Sequence, residues 1–392
     1  MVTFVVVACC ITYLAFAMLY LPLPHPLSIH YLGSRLFKSR TPIKSKLKLL
    51  KHLVSILIFS PVVILLGPID FALLGVYRFF RPFKPPVFIC GTPRSGSTLL
   101  HRLLIKSSKE LHGHTHLEWR YPSVTFQLLL SLFGLKSRLS RRNYWPASKI
   151  QSTVSKMHPN VMGDFEEDAI LFEERVAHHP YQYLHSPEAG TLNYYSLFSK
   201  RSEKFFSLRS HLLRIYEYSI NSLSILKSPY STFVSKEVAS NEKLSHLKNR
   251  FHGSKFIIIT RHPESYLSSL KPLLTLSTIS KTGNSNFKNS PEWWDSWYKW
   301  LVKQAEAVTE FYRQSRGDIN PRVLHVSFEE LVNNPSSVMM TIINFLDLPI
   351  NSEFHEAIDD FKKRQTGRAR GYEYESIEYC REDFSDFLRT FY

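Results

Sequence analysis

The stretch VFICGTPRSGSTLLHRLL, residues 87–104, carries the pattern that decides the fold. Val87 to Cys90 is a short, continuous apolar run of the kind that forms a strand buried on both faces. It breaks at Gly91-Thr92-Pro93-Arg94-Ser95-Gly96-Ser97-Thr98 and resumes with the periodicity of an amphipathic helix. Gly91 and Gly96 permit a tight turn with its amides pointing inward, and the helix N-terminus adds partial positive charge there. Ser97 and Thr98 supply hydroxyls and are expected to cap the helix. The turn is therefore a candidate anion site. Its G-x4-G spacing is that of nucleoside-triphosphate phosphate loops, but Ser97 stands where those loops carry lysine. Arg94 supplies a cation from inside the turn instead.

Downstream, Ser224–Leu226, Phe256–Thr260 and Val323–Val326 are further short apolar runs, separated by longer helical stretches. The alternation predicts an α/β fold, a P-loop-type parallel sheet flanked by helices. The Ser/Thr/Asn/Lys-rich segment Thr275–Ser290 reads as a surface loop or lid. Trp293, Trp297 and Trp300 share one helix face, where core packing is the expected role. A magnesium-dependent kinase or nucleotide hydrolase needs an acid at a strand end. The runs at 256–260 and 323–326 are followed by Arg261 and by Ser327-Phe328, with no acid.

The charge of +16 is unevenly spread, with ten Lys/Arg against the single acid Asp70 up to Pro86. That distribution points to a membrane surface rather than to nucleic acid. Val2–Leu21 is an apolar segment long enough to span a bilayer, without the cationic start or cleavage site of a signal peptide. Leu53–Tyr77 is a second apolar stretch, interrupted by Pro61, Gly67, Pro68 and Asp70, and reads as a span or an interfacial segment. Residues 1–86 are thus expected to form a membrane anchor region and residues 87–392 the catalytic domain, with Pro82–Pro86 as linker. Arg35 to Lys51 make the loop between the two stretches basic, which puts it in the cytosol. Two spans would then leave the domain lumenal, as in the Golgi or another endomembrane. The lack of any N-x-[ST] sequon after Tyr77 weighs against a long lumenal domain. Cys9, Cys10, Cys90 and Cys380 form neither a disulfide framework nor a metal-ligand spacing, and no metal is expected.

Taken in order, these motifs resemble the PAPS-dependent sulfotransferase superfamily, over roughly Val87 to the C-terminus. The likeness is to the bacterial-type lipid and tyrosylprotein branches rather than to the cytosolic phenol and steroid enzymes. The resemblance implies that Gly91, Thr92, Pro93, Arg94, Ser95, Gly96, Ser97 and Thr98 hold the 5′-phosphosulfate of 3′-phosphoadenosine 5′-phosphosulfate (PAPS). It implies that Arg261, after a strand, and Ser269, eight residues later, clamp the 3′-phosphate, with Ser268 as an adjacent alternative. Lys227, in Ile225-Leu226-Lys227-Ser228-Pro229, a turn similar to the family's Leu-x-Lys-x-Pro, would stabilise the sulfuryl group in transit. Glu118 is the expected base for the acceptor hydroxyl, with His116 next and the cluster Asp164, Glu166, Glu167 and Asp168 as a further candidate. Arg368 and Arg370 resemble ligands of the loop that closes over the 3′-phosphate, and Leu324–Leu331 resembles the family's late strand and helix. A sulfuryl group carries less negative charge than a terminal phosphoryl group, so fixed cations and amides suffice without a metal. The acceptor would be a lipid, a glycan or a secretory-pathway protein. The rival readings are a P-loop kinase or hydrolase and a non-catalytic, membrane-tethered nucleotide-binding scaffold.

Overall fold

The computed structural model describes residues 2–38, 41–144, 149–158, 160–187, 192, 208–317, 322–366 and 377–392. Five strands form one sheet in the order β2-β3-β1-β4-β5, with every pairing parallel: β1 Val87–Gly91, β2 Leu111–His112, β3 Thr232–Lys236, β4 Lys255–Thr260 and β5 Val323–Ser327. β1 is central and wholly buried, which is why its sequence is apolar without alternation. Its side chains still divide by parity. Phe88 and Cys90 join Phe256 and Ile258 in a core closed by Trp297 and Val308, while Val87 and Ile89 join Ile257 and Ile259 against Leu100 and Ile342. The chain leaves β1 for β2 and β3 on one side and then crosses to β4 and β5 on the other, so a topological switch point lies at the carboxyl end of β1.

The helices used below are α1 Val2–Tyr20, α2 Ile43–Ile58, α3 Ser60–Phe80, α4 Ser97–Lys106, α5 Val124–Leu132, α6 Leu208–Ser224, α7 Pro263–Thr282 and α8 Pro291–Ser315. Two local expectations are corrected. Ser224–Leu226 is not a strand: Ser224 closes α6 and the residues after it form a turn, so the strand lies further on, at Thr232–Lys236. Much of the supposed loop Thr275–Ser290 is helix, since α7 continues to Thr282 and stops at Gly283 in the left-handed region, φ 70°. Its hydroxyls do not break the helix because they bond back one turn: Thr275 to the Lys271 carbonyl at 2.8 Å, Thr282 to that of Thr278 at 2.7 Å.

α2 and α3 join into a helical run of 38 residues, Ile43–Phe80, long and apolar enough by length and composition to cross a membrane. The run is also built onto the domain. Lys48 donates to the Ser280 carbonyl, His52 bonds Gln182 at 3.0 Å, and Arg175 reaches the Ser55 carbonyl at 3.2 Å. The buried carboxylate of Asp70, one of the apparent breakers, accepts from the Thr125 amide at 2.8 Å and hydroxyl at 2.6 Å, at the start of α5.

Candidate active site

The loop after β1 uses both its glycines for steric reasons. Gly91 has φ 137°, and a Cβ there would lie 1.9 Å from the Ile259 carbonyl oxygen on the neighbouring strand. Gly96, φ 84°, would drive a Cβ to 2.5 Å from the Phe328 ring. Gly96 is itself the residue flanking α4, so Ser97 and Thr98 begin the helix rather than cap it. The α4 amides up to Leu99 have no intrahelical acceptor, because the first such bond runs from the Leu100 amide to the Gly96 carbonyl at 2.9 Å. Arg94 adopts φ 62°, a strained conformation for a side chain with a Cβ, and lines a cleft of about 2140 Å³ above the switch point.

Three sequence-expected residues meet at Arg94. Its Nε donates to Ser269 Oγ at 3.0 Å, and Arg261 Nη1 donates to the Arg94 carbonyl at 3.3 Å. The Arg261 guanidinium also stacks over Phe328, 4.6 Å from the ring centroid. Ser268 and Ser269 both line the cleft. This brings residues from β1, β4 and α7 into one cationic corner.

The lysine beside this corner is Lys236, not Lys227. It ends β3, whose register sets it opposite Ile89 on β1, just before the loop. Its ammonium donates to Thr98 Oγ1 at 2.7 Å and to Glu166 Oε1 at 2.9 Å, with Glu167 Oε2 at 3.3 Å. Arg102 on α4 reaches Glu166 at 3.5 Å and Asp164 at 3.2 Å, and His158 stands 3.8 Å from Glu166. Burial alone would raise the Glu166 pKa, but Lys236, His158 and Arg102 more than offset it and hold this carboxyl well below the usual range. Glu167 moves the other way. Its burial, with Glu166 and Glu237 nearby, raises its pKa despite Lys236. Both acids face the cleft, Glu167 with its side chain 14% exposed and Glu166 with 1%.

Glu118 and Lys227 lie elsewhere, against the sequence expectation. They pair with each other at 2.8 and 2.9 Å, Lys136 adds a second cation at 3.2 Å, and neither Glu118 nor Lys227 belongs to the cleft wall. Glu118 also forms a capping box with Thr115 at the start of the short helix His116–Arg120. It is a buried structural anion. His116 is held by Asn160 at 3.1 Å and Glu174 at 3.7 Å, and Asp168 is buried among Tyr216, Ser235 and the Lys236 carbonyl side of β3. Burial raises the Glu118 pKa, but Lys227, His114 and Lys136 outweigh it and bring it from 4.5 down to about 2. A depressed acid adds stability that is present above about pH 4.5 and lost as the pH falls toward about 2. We expect Lys227→Met to remove part of that contribution, costing roughly 1–3 kcal/mol, since Lys136 still partners the buried carboxylate at 3.2 Å. Urea denaturation of the variant and the parent between pH 7 and pH 3 checks this: their difference shrinks on acidification.

Arg368 and Arg370 lie outside the described residues. β3, hidden from the sequence reading, does end next to an acid, Glu237, but that side chain pairs with Lys243 at 3.2 Å away from the cleft wall. Lys236 and Arg102 were missed. The signal for Lys236 was the β-branched and aromatic run Thr232-Phe233-Val234 after the Ser228-Pro229 turn. Of the tryptophans, Trp293, Trp297 and Trp300 belong to the core, and Trp297 and Trp300 also reach the cleft. Among the described residues no group of three or more His, Cys, Asp or Glu is placed to hold a metal ion.

Residues 85–352 match the family model for the sulfotransferase family. The chain belongs to that family. Its fold is shared with a sulfotransferase from Mycobacterium avium, STF9, at a TM-score of 0.62 and 15% identity, over 92% of this chain and 89% of that one. It is likewise similar to the sulfotransferase STF1 from Mycobacterium tuberculosis H37Rv, at 0.59 and 14% identity, over 90% and 88%. At such identities the likeness concerns the fold. No curated protein matches the chain at a significant level. As a sulfotransferase the chain is an enzyme of group transfer.

Proposed function

We propose that this sulfotransferase moves the sulfuryl group of PAPS to the hydroxyl of an acceptor with a substantial apolar part. The observation that carries the donor assignment is the convergence of Arg94, Arg261, Ser269 and Lys236 on the α4 N-terminus. The donor has phosphate groups at both ends: the loop amides and Lys236 suit the 5′-phosphosulfate, Arg261 and Ser269 the 3′-phosphate. Lys236 stabilises charge on the bridging oxygen and the sulfuryl group, and Glu167 takes the acceptor proton. The acceptor oxygen then bonds to sulfur while the bridging S–O bond breaks, its electron pair staying on the phosphate of 3′,5′-adenosine bisphosphate. The roles that the sequence motifs suggested for Lys227 and Glu118 thus pass to Lys236 and Glu167. Away from the loop the cleft is walled by Ile170, Leu184, Leu270, Leu273, Trp297 and Trp300, which favours a lipid-like alcohol over a glycan.

Thermal unfolding of the full chain with 3′,5′-adenosine bisphosphate, compared with ATP plus magnesium, tests the donor site. At about 100 times Kd a ligand specific to the native state stabilises by about 2.7 kcal/mol, a shift of several degrees. We expect that shift with the bisphosphate and its loss in Arg261→Ala. A shift with magnesium-ATP alone would replace this reading with a kinase or hydrolase.

A further inference from the structure

We infer that the helical run Ile43–Phe80 does not cross the bilayer but lies along it, docking the catalytic body on an anionic phospholipid surface. At about 1.5 Å per residue, its 38 residues extend about 57 Å, nearly twice the hydrocarbon thickness of about 30 Å. One stripe is buried against the protein for the whole length: Leu49, Leu53, Ile56, Val63, Asp70 and Leu74. Its polar anchors at Lys48, His52, Ser55 and Asp70 all bond to the catalytic body. A helix welded to a water-soluble domain along its full length cannot carry that face through hydrocarbon.

The opposite stripe is apolar and uncovered. Leu47, Leu50, Val54, Leu65, Ile69 and Val76 recur at helical spacing, and Leu65 and Phe79 are 75% and 84% exposed. A soluble surface rarely leaves so long an apolar strip bare. The occupant is identified by charge. Lys44 and Lys51 are exposed beside the stripe at one end and Arg78 is exposed at the other end of the run, in a region with ten Lys/Arg and one acid. α5, which packs on α3, ends in Leu132 and Phe133, exposed at 78% and 68% and followed by Arg138. Apolar residues rimmed by cations fit the boundary between acyl chains and anionic headgroups. On this reading the basic loop no longer fixes a lumenal side, because that argument needed two spans.

The docked helix packs behind one wall of the cleft, through α7. The same α7 that takes the Lys48 bond at Ser280 lines the cleft with Leu270, Leu274, Ser277 and Lys281. His52 stacks on His185, ring centroids 3.7 Å apart, and His185 bonds the cleft residue Glu173 at 3.1 Å. Membrane contact is thereby relayed to the cleft through α7 and through His185 and Glu173.

The test uses the full chain and vesicles of phosphatidylcholine with or without phosphatidylserine. We expect flotation with the anionic vesicles, weakened at least tenfold in the double variant Leu65→Glu/Phe79→Glu, whose melting temperature and bisphosphate shift stay those of the parent. Tenfold is about 1.4 kcal/mol, less than the apolar contact of the two side chains supplies. Topology is read from Ser34→Cys and Lys84→Cys, on either side of the run, in a chain with Cys9, Cys10 and Cys380 changed to serine and translated with sealed microsomes. An impermeant maleimide modifying both cysteines or neither supports the docked helix; modification of only one overturns it in favour of a span. Failure to float, with a dimer in light scattering, overturns it in favour of a second copy covering the stripe. Because vesicle binding is read separately from the bisphosphate shift, either can fail without the other.

Discussion

Lys236→Met is expected to lower kcat by about 10²–10³-fold while the folded variant still binds 3′,5′-adenosine bisphosphate. The size is that of removing one preorganised donor from a developing charge in a water-poor site. Lys236 is 1% exposed and touches Thr98 of the phosphate loop, so its ammonium is fixed before substrate arrives and needs no reorganisation during transfer. Methionine keeps the stem length and removes the charge. The cost to stability is real, since Glu166 loses its closest cation, though Arg102 and His158 remain near it. Activity must therefore be compared at a temperature where both proteins are native by near-ultraviolet circular dichroism. Lys236→Arg, which keeps the charge but not the point geometry, is expected to recover stability more fully than turnover. The contrast is Lys227→Met, which should lose stability and keep kcat within a few-fold. If the folded Lys236→Met variant turned over like the parent while Lys227→Met did not, the assignment of the transfer lysine would be wrong.

That contrast also shows where the sequence was legible. The turn after β1 was, because each of its steric needs leaves a residue-type trace: glycines where a Cβ would strike Ile259 or Phe328, an apolar strand before, a helix after. Arg261 and Ser269 were legible through spacing, since the strand end and the second turn of the following helix face the same corner and both reach Arg94. Lys227 and Glu118 invited a catalytic reading although neither lies on the cleft wall. They form a buried ion pair between residues 109 positions apart, and an ion pair in a core uses the same residue types as a catalytic pair. Lys236 stands out only once β3 is paired with β1, because its place beside the loop comes from the register Ile89↔Lys236 and not from any local motif. Glu166 and Glu167 sit in an irregular segment tied to the sheet layer by the isolated bridge Thr115↔Phe165, which periodicity does not reveal. The run Ile43–Phe80, whose part Leu53–Tyr77 the sequence left as a span or an interfacial segment, is ambiguous for another reason. Its buried and exposed stripes are both apolar, so hydropathy alone reads it as a span, and the polar anchors that hold one stripe to the domain have partners far away in the chain.

Glu167→Gln is expected to cut kcat by about 10²–10⁴-fold, the range for losing a positioned general base, with a smaller change in nucleotide binding. The neighbouring Glu166 is a poor candidate for the same work because Lys236, Arg102 and His158 hold its proton affinity down. Glu167 is only partly compensated, opens to the cleft and keeps a raised pKa, from burial first and from Glu166 and Glu237 next. A base acts as the carboxylate, so kcat should rise with pH as Glu167 loses its proton, and this acid limb should lie above the ordinary glutamate value of 4.5. Glu167→Gln should abolish the limb, because glutamine has nothing to titrate there. His158 offers the useful alternative: burial, aided by Lys236, pushes it down to about 4, so a limb owed to the imidazole would fall lower and would survive in Glu167→Gln but vanish in His158→Gln. Glu118→Gln, stripped of the same charge outside the cleft, should leave the limb in place while losing stability. A parent-like limb in Glu167→Gln would transfer the role of base to His158, and its disappearance in Glu118→Gln would return the role to the residue that the sequence motifs first suggested.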